Sequence, residues 1–363
     1  MSTLTQPQAI VHPDRIDAEW MAQVLHAAGI DAKIASVVAN PVGTGQTGEC
    51  VRFGIDYAAN SQAGPNSLIG KFPSSNPDSR RIAAAQGDYE REVKFYRDLA
   101  PATGVATPAC YIAEYDDTTG QFVLLLEDLA PARQGDQLTG VTPDQARLVV
   151  DEAAKLHASH WNDPATAELD WVKLTPHWRS QLPTGDTIRR AAEGFAVRYA
   201  GKLPDHAFAA CRRYADRVEH YRSMPRPNKC LAHYDFRPDN MMFASQEGGR
   251  PVTILDWQTL SLAPGSDDLA FFLAGALPPA QRREHEAELL ERYLDGLMVG
   301  GVTDYTMADL QLDYAIGGFR LLAVAMGGAM TVKQTERGDR MFVQMMNSAV
   351  THITDHGSLA YLD

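Results

Sequence analysis

The stretch His233-Tyr-Asp235-Phe-Arg-Pro-Asp-Asn240 has the form H-x-D-x-x-x-x-N, and Asp256 follows sixteen residues later in Thr253-Ile-Leu-Asp256-Trp257. Carboxylates and an amide in this order suit phosphoryl transfer. That chemistry needs a group to orient the attacking hydroxyl and hard oxygen ligands for the cation that neutralises the spreading charge. In it, Asp235 accepts or orients the hydroxyl proton, and Asn240 and Asp256 ligate Mg²⁺. The alternative is a loop rich in Asp and Asn that only turns the chain. The order, the spacing and the apolar strands on either side weigh against that alternative.

Together, His233–Asn240, Ile254-Leu-Asp-Trp and Ser266-Asp-Asp268-Leu-Ala resemble the aminoglycoside phosphotransferase and choline kinase-like family, nearest its ecdysteroid-kinase-like branch. The likeness runs from about Val42 to Ala325. It implies an α+β, protein-kinase-like bilobal fold with a small β-rich N-lobe and a larger, mostly helical C-lobe. It also implies ATP-dependent phosphorylation of a small-molecule hydroxyl, with Mg²⁺. One departure is Tyr234, because many relatives have glycine between the His and the Asp. Asp268 is expected to support the active-site loop and His233 to brace it, with His157 packed or hydrogen-bonded in its helix.

Gly43-Thr-Gly45-Gln-Thr-Gly48 matches G-x-G-x-x-G, a pattern that dinucleotide-binding turns share. Such a turn opens into a helix, whereas here Val51 to Tyr57 alternates as a strand. A strand–loop–strand cover over phosphates therefore fits better. An ordinary Gly-rich hairpin is the plain alternative. Lys71, on the next strand, would bind the α- and β-phosphates, with Glu92 as its ion-pair partner. Glu90 is a rival, set aside because Glu92 lies nearer the inward stripe of Val93 and Tyr96. By resemblance, the backbone of Glu127 and Leu129 would bond the adenine edge.

The elements that must position these groups fall into two parts, as expected of 363 residues at about 150 per domain. Residues 1–129 read as an opening helix over Asp14–Gly29, then β-β-β-α-β-β, with the helix over Pro77–Leu99. The polar connector from Ala130 marks the boundary. Residues 130–363 read as helices at Thr142–Trp161, Thr187–Tyr199, Asp205–Tyr221, Pro279–Val299, Tyr305–Met330 and Thr335–Asp355. Short strands are expected at Lys229–Ala232, Met241–Phe243 and Val252–Leu255. Asp267 is a candidate N-cap of the segment that follows it.

With 33 basic against 46 acidic residues, the net charge of −13 argues against a general nucleic-acid or anionic-membrane binder. Four scattered cysteines form no C-x-x-C pair, and the N-terminus has no basic region leading an apolar run. The apolar stretch Tyr314–Met330, interrupted by Arg320, reads as a buried helix. A cytoplasmic monomer or homodimer without membrane insertion is expected. Gln181–Asn228 holds nine basic residues against five acidic, which disfavours a polycationic acceptor. From Ala270 onward, twelve acidic against seven basic residues weaken the point. A neutral or weakly charged alcohol with an apolar body is the acceptor expected. The rivals are an aminoglycoside or choline/ethanolamine-type kinase, a silent nucleotide-binding regulatory module, and a metal-dependent phosphoester hydrolase.

Overall fold

The computed structural model describes residues 10–43, 48–61, 64–174 and 183–363. Internal contacts divide the chain into two compact units. The first comprises Met1–Ala102, Thr107–Pro131 and Leu255–Thr259, and the second Thr103–Ala106, Ala132–Ile254 and Leu260–Asp363.

The first unit opens with helix α1 (Ala18–Ala27), where the Asp17 carboxylate accepts the Trp20 N–H. Its strands are β1 (Ile34–Val42), β2 (Gly48–Tyr57), β3 (Ser67–Pro73), β4 (Cys110–Tyr115) and β5 (Phe122–Glu127). They form one antiparallel sheet in the order β1-β2-β3-β5-β4. Alternation along the strands sends Val51, Phe53, Leu68, Phe72, Val123 and Leu125 to the face covered by Trp20, Met21, Val24 and Leu25 of α1. Lys71 falls between those positions and so projects from the opposite face.

On that opposite face the single helix expected over Pro77–Leu99 is broken. It is α2 (Pro77–Gln86), α3 (Asp88–Lys94), a π turn at Phe95–Leu99 and the short α4 (Ala100–Thr103). The breaker is Gly87, whose φ of +71° ends α2 in the left-handed region. After the break, Asp88 to Val93 are all buried, and the Tyr89 ring packs tilted against Phe122 of β5, centroids 4.7 Å apart.

The second unit begins with β6 (Arg133–Gln134), α5 (Pro143–Ser159) and α6 (Pro164–Glu168). It continues through α7 (Gly185–Arg198), α8 (Asp205–Asp216), α9 (Val218–Ser223) and β7 (Cys230–Ala232). Then come β8 (Met241–Ser245), β9 (Gly248–Ile254), β10 (Ser261–Ala263) and the helices α10 (Gly265–Ala276), α11 (Pro279–Val299), α12 (Met307–Thr331) and α13 (Glu336–Asp355). Strands β6, β8 and β9 make one small sheet, and β7 pairs with β10. The helix expected over Asp205–Tyr221 breaks at Arg217 into α8 and α9.

Every residue of α10 is buried, so it is the central helix of this unit. Helix α12 is long and apolar enough to cross a membrane by length and composition. Here it packs as a core helix, with Phe319, Leu322 and Met326 buried among Phe342, Met345 and Met346 of α13.

Candidate active site

In the first unit, the strand-to-helix geometry brings three of the expected residues together. Lys71 Nζ donates to Glu92 Oε1 at 2.5 Å and to Asp256 Oδ1 at 3.1 Å. Glu90, the rival partner, is instead bonded to Lys94 on its own helix. Glu92 is buried and also accepts the Trp257 backbone N–H. The Trp257 ring stacks on Phe95 with centroids 3.8 Å apart, which anchors the Leu255–Thr259 segment beside α3. Burial would push the Lys71 ammonium toward the neutral form. The Glu92 and Asp256 carboxylates outweigh it and hold Lys71 well above its usual value, so it stays charged.

The glycine-rich segment is seen at its two ends. Gly43 has φ +75°, and a Cβ on Gly48 would lie 3.0 Å from the Phe72 carbonyl, so each position suits glycine. Gly45 lies outside the described residues. Glu127 ends β5, its carboxylate accepting the Ala109 N–H at 3.0 Å. Leu129, half-buried in the connector, has no hydrogen-bond partner for its N–H among the described residues. Between them Asp128 accepts from Arg52 Nε at 2.6 Å and from Ser67 Oγ at 2.7 Å. Burial opposes ionisation of Asp128, but these bonds hold its carboxyl below the usual range. This clamp on the connector is invisible to local sequence reading, because Arg52 and Asp128 are far apart in the chain.

In the second unit, the His233–Asn240 segment leaves β7 as a loop fastened from behind. Asp268, in the first turn of α10, accepts the His233 N–H at 2.6 Å and the Tyr234 N–H at 2.9 Å. His157, fully buried, reaches Asp268 Oδ2 at 3.3 Å through Nε2 and the Tyr293 hydroxyl at 2.8 Å through Nδ1. The His233 ring accepts the Asp235 N–H at 3.3 Å, so it braces the loop. Asp267 is not the N-cap of α10; Pro264 stands there, and Asp267 is bonded to Arg226 Nη1 at 2.6 Å.

Asp235 Oδ2 accepts from Asn240 Nδ2 at 2.9 Å and from Arg237 Nε at 3.2 Å. Burial disfavours its charge, but Arg237, His233 and the Asn240 bond hold its carboxyl below the usual value. Asn240 donates both of its side-chain bonds through Nδ2, the second to the Asp235 carbonyl at 2.8 Å, which leaves Oδ1 as an oxygen ligand. Asn240 Oδ1 and the Asp256 carboxylate are the hard donor types that suit Mg²⁺. Tyr234, the residue that departs from the family, sits at φ +69°, a region glycine occupies without strain. Sequence reading passed over Arg237 and Arg320. The charge of Arg320 inside an otherwise apolar helix was the available signal.

One further cluster has metal-ligating residue types: Glu286, His352 and His356 each offer an atom within 4.8 Å of the others. Arg282 already supplies the positive charge there, with Nη1 2.5 Å from Glu286 Oε1 and 3.4 Å from His356 Nε2. The cluster therefore ties α11 to α13.

Fold and residues of this kind define a kinase-like phosphotransferase. Residues 67–305 match the model of the phosphotransferase enzyme family APH, and the chain belongs to that family. Among solved structures, the GDP complex of wild-type aminoglycoside 2'-phosphotransferase-IIIa is 12% identical with a TM-score of 0.51, covering 92% of this chain and 98% of that one. Plasmodium vivax ethanolamine kinase is 12% identical with a TM-score of 0.51, covering 90% and 86%. A Ralstonia eutropha protein described as an aminoglycoside phosphotransferase is 16% identical with a TM-score of 0.51, covering 88% and 92%. At these identities the likeness shows the fold, α+β and protein-kinase-like. The ecdysteroid-kinase-like branch is not a finding of these comparisons. No curated protein matches the chain. Family and fold make the protein a small-molecule kinase.

Proposed function

We propose that the chain transfers the γ-phosphoryl group of ATP to a hydroxyl of a small molecule. The observation that carries this reading is the Lys71 ammonium held between the Glu92 and Asp256 carboxylates. It is a charged group kept in place by one buried partner, Glu92, while Asp256 can exchange it for another cation. In this reading Lys71 binds the nucleotide phosphates, Gly43, Gly45 and Gly48 cover them, and the backbone of Glu127 and Leu129 receives the adenine. Asn240 and Asp256 hold Mg²⁺, which supplies charge neutralisation at the phosphates. Asp235, kept ionised by Arg237 and Asn240, takes the acceptor's hydroxyl proton.

Residues 1–129 serve the nucleotide and residues 130–363 the acceptor, apart from the metal ligands Asn240 and Asp256. The acceptor is an alcohol with an apolar body and at most a weak charge. The basic surplus of Gln181–Asn228 and the guanidinium beside Asp235 both disfavour a polycation. The cytoplasm, where ATP and Mg²⁺ are supplied, is its place of action.

Thermal unfolding with Mg-ATP tests the reading. Ligand at a hundred times its dissociation constant stabilises by about 2.7 kcal/mol, so wild type should melt at a higher temperature. Lys71→Ala should lose most of that shift. No shift with millimolar Mg-ATP or Mg-GTP would contradict the proposal.

A further inference from the structure

Tyr234 and Arg320 border Asp235, and the transfer described above gives neither of them a role. Both lie in the second unit. A tyrosine at φ +69° is strained where glycine is relaxed, so a contact of its side chain must offset that strain. The Arg320 guanidinium lies over the Tyr234 ring, 3.6 Å from its centroid. Arg320 Nη2 also donates to the Tyr234 carbonyl at 2.5 Å, on the residue immediately before Asp235.

Two further facts set Arg320 apart. Its Nε is buried without a hydrogen-bond partner. Among the described residues it has no carboxylate ion-pair partner, unlike Arg226 and Arg237. Two carboxylates feel its charge, Asp235 and Asp267. The first is bonded to Arg237 and Asn240, the second to Arg226. A guanidinium fixed by stacking and by one backbone bond through Nη2, with Nη1 bonded to none of the described residues, is organised to receive an anion. The helix face beyond it is apolar: Val324, one turn on, is half-buried against the core, and a methyl group built on Gly327 would meet no atom of the described residues within 4 Å.

We infer that Arg320, oriented by Tyr234, reads an acidic group on the acceptor, which makes the substrate a hydroxy acid with an apolar body. This rests on the phosphotransfer reading, keeps the apolar body of the acceptor and gives it one full negative charge in place of the weak one. The link from Arg320 to the residue before Asp235 calls for a hydroxyl and a carboxylate only a few bonds apart. The acceptor oxygen bonds to the γ-phosphorus of ATP as the bond from that phosphorus to the ADP oxygen breaks. The hydroxyl proton passes to the Asp235 carboxylate and then to solvent, leaving ADP and the phosphorylated acid.

The test uses 3-hydroxydecanoate, 3-hydroxydecanamide and 1-amino-3-decanol as acceptors with Mg-ATP, read by mass of the product and by ADP release. The acid should have the highest kcat/KM. Arg320→Gln should lower that value for the acid roughly ten- to a hundredfold, mainly through KM, the scale of a lost charge-assisted pair. The preference for acid over amide should shrink with it. Tyr234→Gly relieves the backbone and removes the platform, and should give a smaller loss, again in KM. It also carries the test if Arg320→Gln does not fold.

A preference for the amide or the amino alcohol would overturn the inference. So would an acid-over-amide preference unchanged in the folded variants, or no acid phosphorylated by an enzyme that Mg-ATP still stabilises. Absence of any Mg-ATP stabilisation in wild type would instead remove the phosphotransfer reading itself.

Discussion

Asp256, in the first unit, meets the Lys71 side chain at 3.1 Å, and among the described residues its other oxygen reaches only Gln258 Nε2, at 3.4 Å. Asp235, in the second, is bonded to Arg237 and Asn240, and its loop is tied through two backbone N–H groups to Asp268. The first carboxylate is held by a cation that a phosphate can claim. The second stands on a backbone that a buried acid and a buried histidine hold still. A metal ligand has to exchange partners when nucleotide arrives, whereas a general base has to keep its place. The two settings match the two jobs proposed for them.

The largest expected effect on stability comes from removing what fixes the Asp235 loop. Asp268→Ala leaves two backbone N–H groups without their acceptor, which costs on the order of 3 kcal/mol of stability. Turnover should fall with it, while Mg-ATP still raises the melting temperature of the folded fraction. Urea unfolding together with a phosphorylation assay checks this. Wild-type stability and turnover in that variant would mean that the loop does not depend on Asp268, and the contrast between the two carboxylates would lose its basis.

A smaller effect separates acid sensitivity of the fold from acid sensitivity of the catalytic carboxylate. Burial, with His356 and Arg282 nearby, lowers His352 from its usual 6.5 to about 3. Below pH 6.5 the unfolded chain takes a proton that the folded chain refuses, so stability falls as pH drops through this window. The share is about 1.4 kcal/mol per pH unit. Asp235, held below the usual carboxylate value, remains ionised through most of that range. His352→Asn should therefore lose about 2 kcal/mol less than wild type between pH 7 and pH 5, by urea unfolding. An identical loss in both would place the acid sensitivity elsewhere.

The sheet of the first unit was legible because β2 is half-buried and alternates over Val51 to Tyr57, and β5 is a short apolar run buried on both faces. The His-x-Asp loop was legible because its residue types and spacing are themselves the chemistry. Helix α10 was not. It is buried on every side, so its sequence has no polar face to give a helical period. The break at Gly87 was passed over because glycine inside a periodic stretch is read as tolerated, and only its φ of +71° makes it a stop. Arg52 with Asp128, and Arg320 with Tyr234, join residues remote in sequence. No local pattern marks such pairs.

The most direct test of the contrast is to measure nucleotide affinity, with and without Mg²⁺, beside phosphoryl transfer in Asp235→Asn and Asp256→Ala. Both variants should lose turnover, Asp235→Asn by about 10²–10⁴-fold, the usual contribution of a positioned base. Mg²⁺ should still strengthen ATP binding in Asp235→Asn and should no longer do so in Asp256→Ala. The same Mg²⁺ dependence in both variants, or near-normal turnover in Asp235→Asn, would contradict the division of labour proposed for these two carboxylates.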